Sequence, residues 1–578
     1  MNFRDLLFSE GWDALVHEQK SSFEHASLLI LLSSFFGFYF TVEYLFLGGK
    51  AALNIEDILV FSLLSFLNLI PAGLFAFAVV SLLPARWRSN YDEEHLLKNF
   101  PVGRPPRVAV VYTTYNDFLS EYARYDCEEA QRNGLPFFIL DDSTDSKERE
   151  KIDEFALLHR CQVVRRENRK GFKAGAINHW IKRFGVEFDY FFLLDSDSQA
   201  SYESIAHCIE VARRDPEIAL VQSKTLCTTS NRTKLTSSTV SIQHAYMETV
   251  QRAMKNLGSS PFYGHNALIS VSAIKSIGGF VEESNEDYKT LARLHRRGYR
   301  SIYAEQAITW EETPPDYFSM RKRSLRWARD AVSQLLLLSS KSPPSICFYL
   351  FYGWAGYISN LVLLAFITAL AFGSLSIDLF NVGLLGEAAG LATISVIVSW
   401  PLLALRFRDP ELTPRRIASA IMWGSIYNIP MAAPNSIQIL MTSFSLMKKK
   451  VKTNLFGKKG FPPEEFIVTP KVREAFLDLQ SIIRKLWKEI LVESFPIAIA
   501  FSARVSWGLI WGLPQMISII VLPLVIFKEF NGRTISKRVT AEEPLSPLIT
   551  PRLGTYRLAS VSAIDTSWPY LIARSFNH

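Results

Sequence analysis

Cysteine is scarce in this chain: five in 578 residues (Cys127, Cys161, Cys208, Cys227 and Cys347), none at the spacing of a metal-ligating pair. That excludes a zinc centre built on thiolates and offers no disulfide framework. The first apolar run does not read as a cleavable leader, because about 25 residues rich in charge precede it and a second run follows at once. No apolar run long enough to span a bilayer occurs between Leu83 and Ser345. The runs that do exist are nearly bare of charge, Glu43 and Arg504 apart. That speaks against a channel or transporter, whose spans carry paired ionisable groups. No separate regulatory domain is legible.

What is present is a polar centre between apolar blocks. Ala26–Leu47 and Ile58–Leu83 precede it, and Ile346–Gly373 and Ala388–Leu405 follow it, each long enough to span. Arg86 and Arg88 follow the second block, and Arg406, Arg408, Arg415 and Arg416 follow the fourth. The positive-inside bias then puts the centre in the cytoplasm of a multi-pass plasma-membrane protein. Ile417–Met447 has basic residues at both ends and reads as a re-entrant or interfacial segment broken near Pro430 and Pro434. Ile490–Phe527, interrupted by Arg504 and Pro514, reads as a hairpin of two spans, for about six crossings in all. The net charge of +7 is mostly membrane-proximal Lys and Arg, so the implied partner is the lipid bilayer and not nucleic acid.

The predicted organisation is a cytoplasmic segment 1–25, two spans within 26–83 and a cytoplasmic α/β domain 84–344. A hairpin plus re-entrant segment 345–447, a cytoplasmic region 448–489, a second hairpin 490–528 and a weakly ordered tail 529–578 follow.

From Arg107 short apolar strands alternate with amphipathic helices, the pattern of a mostly parallel, Rossmann-like mixed sheet. Val108–Tyr112 is the first predicted strand. Pro136–Leu140 is the second and ends in Asp141-Asp142. A third, Gln162–Arg165, leads to Lys173-Ala174-Gly175, and a fourth ends in Asp195-Ser196-Asp197. Ligands bind at that edge of an open α/β sheet. A carboxylate after the second strand can accept hydrogen bonds from a base or ribose, or simply cap the next helix. Lys173 supplies a cation, and Gly175 allows close backbone approach to phosphates. Asp195 and Asp197 together can grip Mg2+ or Mn2+, which in turn holds a diphosphate. Downstream, an acidic residue of Glu286-Asp287 can take a proton from a sugar hydroxyl. Arg323 and Arg326, three apart on a helix, suit a pyrophosphate leaving group, and Trp327 offers a flat face to a sugar ring.

Taken in order, these clusters resemble the inverting family-2 membrane glycosyltransferases, the cellulose-synthase-like branch in particular. The resemblance covers about Arg107–Trp327 and extends to Phe466-Ile467-Val468-Thr469-Pro470-Lys471. It implies a GT-A fold inserted in a multi-span helical membrane domain, with Asp141 and Asp142 on the nucleotide and a metal on Asp195 and Asp197. It makes Asp287 the catalytic base, with Glu286 beside it, and assigns Arg326 and Trp327 to a Q-x-x-R-W motif. Phe466, Val468, Thr469 and Lys471 match the donor-covering loop F-x-V-T-x-K of processive synthases. Arg323 stands where cellulose synthases place Gln, which is similar to the osmoregulated periplasmic glucan glucosyltransferases. Gly264-His265-Asn266 and Trp310-Glu311-Glu312 are similar to them too, which implies His265 and Asn266, with Trp327, on the acceptor side. The expectation is transfer of a hexose, glucose from UDP-glucose, onto a growing β-glucan. Single transfer to a polyprenyl phosphate or ceramide-like lipid is the alternative.

Overall fold

Seven consecutive residues of β1 (Val108–Thr114) are buried, and their side chains alternate between two cores. Val108, Val110 and Tyr112 face one way, with Phe192 and Leu194 of β4 (Tyr190–Asp195). Ala109 and Val111 face the other, with Phe191 and Leu193. A strand covered on both faces needs apolar residues at every position, and for that reason these segments read as continuous runs and not as alternating ones.

The computed structural model describes residues 63, 66, 73–74, 76–83, 87–229, 233–283, 285–335, 342–373, 414–456, 478–502 and 506–531. Within them lies one eight-stranded sheet ordered β3-β2-β1-β4-β7-β6-β8-β5. The remaining strands are β2 (Phe137–Asp141), β3 (Gln162–Val164), β5 (Ser198–Ala200), β6 (Ile218–Thr228), β7 (Ala267–Ser270) and β8 (Arg300–Glu312). Pairs β1–β2, β2–β3, β1–β4 and β6–β8 are parallel, whereas β4–β7, β6–β7 and β5–β8 are antiparallel. The sheet is thus mixed and mostly parallel. Strand order reverses between β1 and β4, and the crevice at such a reversal is where α/β sheets bind ligands. The helices Ser120–Arg132, Ser146–His159 and Tyr202–Ala212 contribute to the first core. The second takes Trp180 from Phe172–Phe184 and Leu291 and Leu294 from Glu286–Arg296.

A third core joins Phe77, Val80 and Leu83 to Val250, Met254 and Leu257, and to Ile346 and Leu350 of the helix Pro344–Gly373. Beside it lies a buried charge cluster. Lys255, only 2% exposed, donates to Glu305 at 2.8 Å and Glu94 at 3.5 Å, and lies 3.6 Å from the fully buried Glu93. Burial works to raise Glu305, but Lys255 and Arg252 outweigh it and bring its carboxyl down to about 2. Lys255→Met is therefore expected to cost about 3–5 kcal/mol, since it strands buried carboxylates. A thermal melt checks this, and an unchanged midpoint at neutral pH counts against the cluster's role.

The C-terminal helices grip the arginine-bearing helix Tyr317–Leu335. Tyr317, Phe318 and Met320 pack with Tyr427 and Met431 of Pro414–Phe456, with Ile482 and Leu486, and with Leu522 and Ile526 of Ser506–Asn531. Arg321 donates to the carbonyl of Lys485 at 2.9 Å and pairs with Glu489 at 2.8 Å.

The break expected at Pro430 and Pro434 is absent: Pro414–Phe456 is one helix with both prolines inside it. They are buried, four residues apart and on one face, and the chain around them is fixed from outside. Asn435 donates to Ser324 Oγ at 2.8 Å, and Ser436 Oγ to the carbonyl of Tyr357 at 2.8 Å. Such packing compensates for the two missing N–H donors. Among the described residues no helix is long and apolar enough to cross a membrane, so the multi-span half of the expected fold class has no support from them. The expected spans 26–47 and 388–405, most of 58–83, and the loop Phe466–Lys471 with Thr469 and Lys471 lie outside the described residues.

Candidate active site

The Asp195-Ser196-Asp197 turn is built from below. Tyr112 OH donates to the carbonyl of Ser196 at 2.7 Å, and Ser196 Oγ donates to Asp117 Oδ2 at 2.7 Å. Asp117 Oδ1 in turn accepts from Thr114 Oγ1 at 2.9 Å and from the amide of Tyr115 at 2.8 Å. Beyond the turn, the amide of Glu312 donates to the Asp197 carbonyl at 2.9 Å as β5 joins β8. Two carboxylates are thereby held at the carboxyl end of β4, next to the reversal in strand order.

Asp195 Oδ1 accepts from Thr113 Oγ1 at 2.9 Å and from the ammonium of Lys173. Lys173 also donates to the carbonyl of Gly264 at 2.8 Å. Gly264 has φ of 85°, a conformation that favours glycine, and a side chain there would meet Asp287 Oδ2 at 3.6 Å. One glycine therefore separates the Lys173–Asp195 pair from Asp287.

Glu286 and Asp287 open their helix half-buried, after Asn285 in a left-handed turn with φ of 62°. The Asn285 side chain donates to Ser333 Oγ at 3.1 Å and accepts from Gln334 at 3.2 Å, which ties this turn to the arginine-bearing helix. Burial, then the neighbouring Glu286, push Asp287 up to about 8, although the amide of Tyr288 donates to its Oδ1 at 2.8 Å. Burial also raises Glu286, which lies within electrostatic reach of Lys173, Asp195 and Arg326. An acid poised near neutrality beside a cationic corner is equipped to accept a proton.

His265 and Arg323 meet on Glu311, which sequence reasoning noted only as part of a motif. His265 Nε2 is 3.1 Å from Glu311 Oε2, and Arg323 lies 3.4 Å from Oε1. Burial works to lower His265, but Glu311 and Asp195 outweigh it and raise its pKa. The Arg323 guanidinium sits 4.8 Å from the centre of the Trp327 ring, which is 47% exposed. Asn266 is fully buried; its carbonyl accepts from Ser223 Oγ at 2.6 Å, and its side-chain amide finds no partner among the described residues.

Asp141 and Asp142 are each matched to an arginine that sequence reasoning missed. Arg165 donates to Asp141 at 2.6 Å, and Arg166 donates twice to Asp142, at 2.8 and 2.5 Å. The amide of Ser143 donates to the other Asp141 oxygen at 2.8 Å, and the cap of the next helix, the plain alternative for these aspartates, is supplied by Asp145. Gly175 also meets a steric requirement of the fold. A side chain there would come within 2.1 Å of the Lys170 carbonyl and 2.3 Å of the Arg166 guanidinium, so the glycine makes room for Arg166.

The described residues contain no group of three or more His, Cys, Asp or Glu placed around a metal. Two carboxylates nevertheless suit Mg2+ or Mn2+, cations that draw the rest of their shell from water and substrate phosphates. The ammonium of Lys173 on Asp195 shows that this position favours a positive charge. The residues fit such an ion.

Residues 190–407 match the family model described as glycosyl transferase family group 2. A glucans biosynthesis glucosyltransferase H of Bradyrhizobium diazoefficiens is 26% identical over 269 residues, 41% of this chain and 35% of that protein. A probable glucomannan 4-beta-mannosyltransferase 9 of Oryza sativa subsp. japonica is 28% identical over 202 residues, 33% of this chain and 38% of that one. The chain thus spans well under half the length of these curated relatives. A solved mannosyltransferase from Pyrobaculum calidifontis, in complex with GDP-Man and Mn2+, matches at 17% identity and a TM-score of 0.43, over 65% of this chain and 99% of that one.

Proposed function

Because this chain carries a family-2 glycosyltransferase domain, we propose that it transfers a hexose, glucose from UDP-glucose, with inversion onto a growing β-glucan. The observation that carries this reading is the shared glycine. Asp287, with its raised pKa, faces Gly264, whose carbonyl holds the lysine paired with Asp195. A proton acceptor and a diphosphate corner are thereby set side by side, as the two ends of a displacement at an anomeric carbon require. Asp287 takes the proton of the acceptor hydroxyl, which attacks opposite the departing nucleotide. Arg323 and Arg326 offset the charge that develops on the diphosphate, usually the largest single contribution. A divalent ion on Asp195 and Asp197 supplies further neutralisation of the phosphates when bound. Trp327 carries the acceptor ring and His265 is tied to it through Glu311 and Arg323, whereas Asn266, expected on the acceptor side, is fully buried and supports the site from within. Thr469 and Lys471 cover the donor, as their motif implies, and the buried Asp141 and Asp142 serve the nucleoside end through Arg165 and Arg166, which they fix.

The reading includes attachment to the plasma membrane with the catalytic domain in the cytoplasm. Supporting it, Met441 and Phe444 on one C-terminal helix and Ile520 and Leu524 on another present large apolar side chains outward. A polymer made in the cytoplasm also needs a route through the bilayer. The test is a panel of UDP- and GDP-sugars with full-length protein in detergent or lipid, scored by release of UDP or GDP with Mg2+ or Mn2+. UDP-glucose is expected to give the fastest release, and gel filtration of labelled product is expected to show a polymer. A product of one sugar on a lipid would replace the polymer reading with the lipid-acceptor one, and release from no donor would overturn both.

A further inference from the structure

Three arginines around the donor corner are already bound to an acid. Arg165 holds Asp141, Arg166 holds Asp142, and Arg323 reaches Glu311. Lys173 differs from these because its partner, Asp195, is one of the two residues suited to a metal. Its second anchor is a neutral carbonyl, that of Gly264, at 2.8 Å. Neither group is locked away, with 18% of the lysine side chain and 31% of the aspartate side chain exposed.

Resting on the donor-site reading above, we propose that Lys173 is a built-in cation that holds the metal's place on Asp195. The arriving divalent ion displaces it, which makes metal and diphosphate bind as a coupled pair. An ammonium and a divalent ion cannot share Asp195 Oδ1, since both seek the same lone pairs and repel each other. Metal arriving alone must break the Lys173–Asp195 pair and bear the repulsion of an ammonium still anchored on the Gly264 carbonyl. Diphosphate arriving alone finds Lys173 engaged. When both arrive, the metal takes Asp195, and the lysine's flexible four-carbon stem swings its charge to a phosphate oxygen. Reciprocity then requires each ligand to raise the other's affinity by the same factor.

The experiment is a titration of full-length protein with Mn2+, alone and with saturating UDP, followed by calorimetry. Lys173→Met is expected to bind Mn2+ alone about tenfold more tightly than wild type, because a charge-assisted competitor has gone. In the same variant the gain in Mn2+ affinity that UDP brings is expected to shrink by about tenfold. Lys173→Arg keeps the charge and is expected to show no gain with Mn2+ alone. A Lys173→Met protein that binds Mn2+ no more tightly than wild type overturns the proposal.

Wild-type protein gives a second measurement, independent of whether the variant folds. Labelling of Lys173 by an amine reagent, read by mass spectrometry, is expected to rise with Mn2+ alone and fall with Mn2+ and UDP together. Labelling indifferent to Mn2+ also overturns the proposal. Exchange without hexose transfer would refute the proposed function alone, and transfer without exchange would refute this inference alone.

Discussion

Asp287→Asn is expected to lower hexose transfer by about three orders of magnitude, the upper part of what a positioned base contributes. Binding of UDP is expected to stay within about twofold of wild type, because the side chain faces Gly264 and no residue proposed to hold the diphosphate bonds to it. Asparagine keeps the volume and can still accept from the amide of Tyr288, so the helix start is preserved. What it loses is the basic carboxylate oxygen that takes the proton. In wild type, transfer at low substrate is expected to rise with pH toward about 8, as burial and Glu286 hold the proton on Asp287 below that point. The same shift has a consequence for stability. A carboxyl raised from 3.8 to about 8 binds its proton more tightly in the folded than in the unfolded chain. Its contribution is present below about pH 4 and is lost as pH rises toward about 8. Asp287→Asn removes that loss and is expected to melt higher than wild type above pH 7. Retained transfer would sink the base assignment, and a pH-independent difference in melting would sink the account of its environment.

The strand ends were legible because burial on both faces leaves only one place for polar residues. The apolar runs ending in Asp141-Asp142 and in Asp195 are β2 and β4, within two residues at each end. The helix start at Glu286 and the arginine face of Arg323 and Arg326 were legible for a similar reason, since charge and period mark them locally. Pairings across the fold were not. Arg165 and Arg166 lie 24 residues from the aspartates they bind and look in sequence like ordinary surface charge. Glu311 gains its position only when β8 pairs with β5 beside the metal-type turn. The antiparallel strand β7 sits between β4 and β6, an order that no local pattern specifies. Pro430 and Pro434 misled because proline's local cost was legible and the tertiary contacts that offset it were not.

Asp195→Asn is expected to reduce transfer by about a thousandfold, comparable with removing a principal group that stabilises transition-state charge. The fold should survive it. An asparagine oxygen can still accept from Thr113 Oγ1 and Lys173, and the turn is held through the Ser196 carbonyl and hydroxyl. Asp197→Asn should preserve the fold as well, because the Glu312 amide binds the Asp197 carbonyl, which the substitution leaves in place. Both variants are therefore expected to melt near wild type while losing Mn2+ affinity, measured by calorimetry with UDP present. If one ion depends on both carboxylates, the second substitution has nothing left to remove. Asp195→Asn with Asp197→Asn would then transfer about as slowly as either alone, within a few-fold. Losses that multiply would mean that the two aspartates act separately, with Asp195 serving chiefly as the partner of Lys173. Full Mn2+ affinity in Asp195→Asn would remove that residue from the metal site altogether.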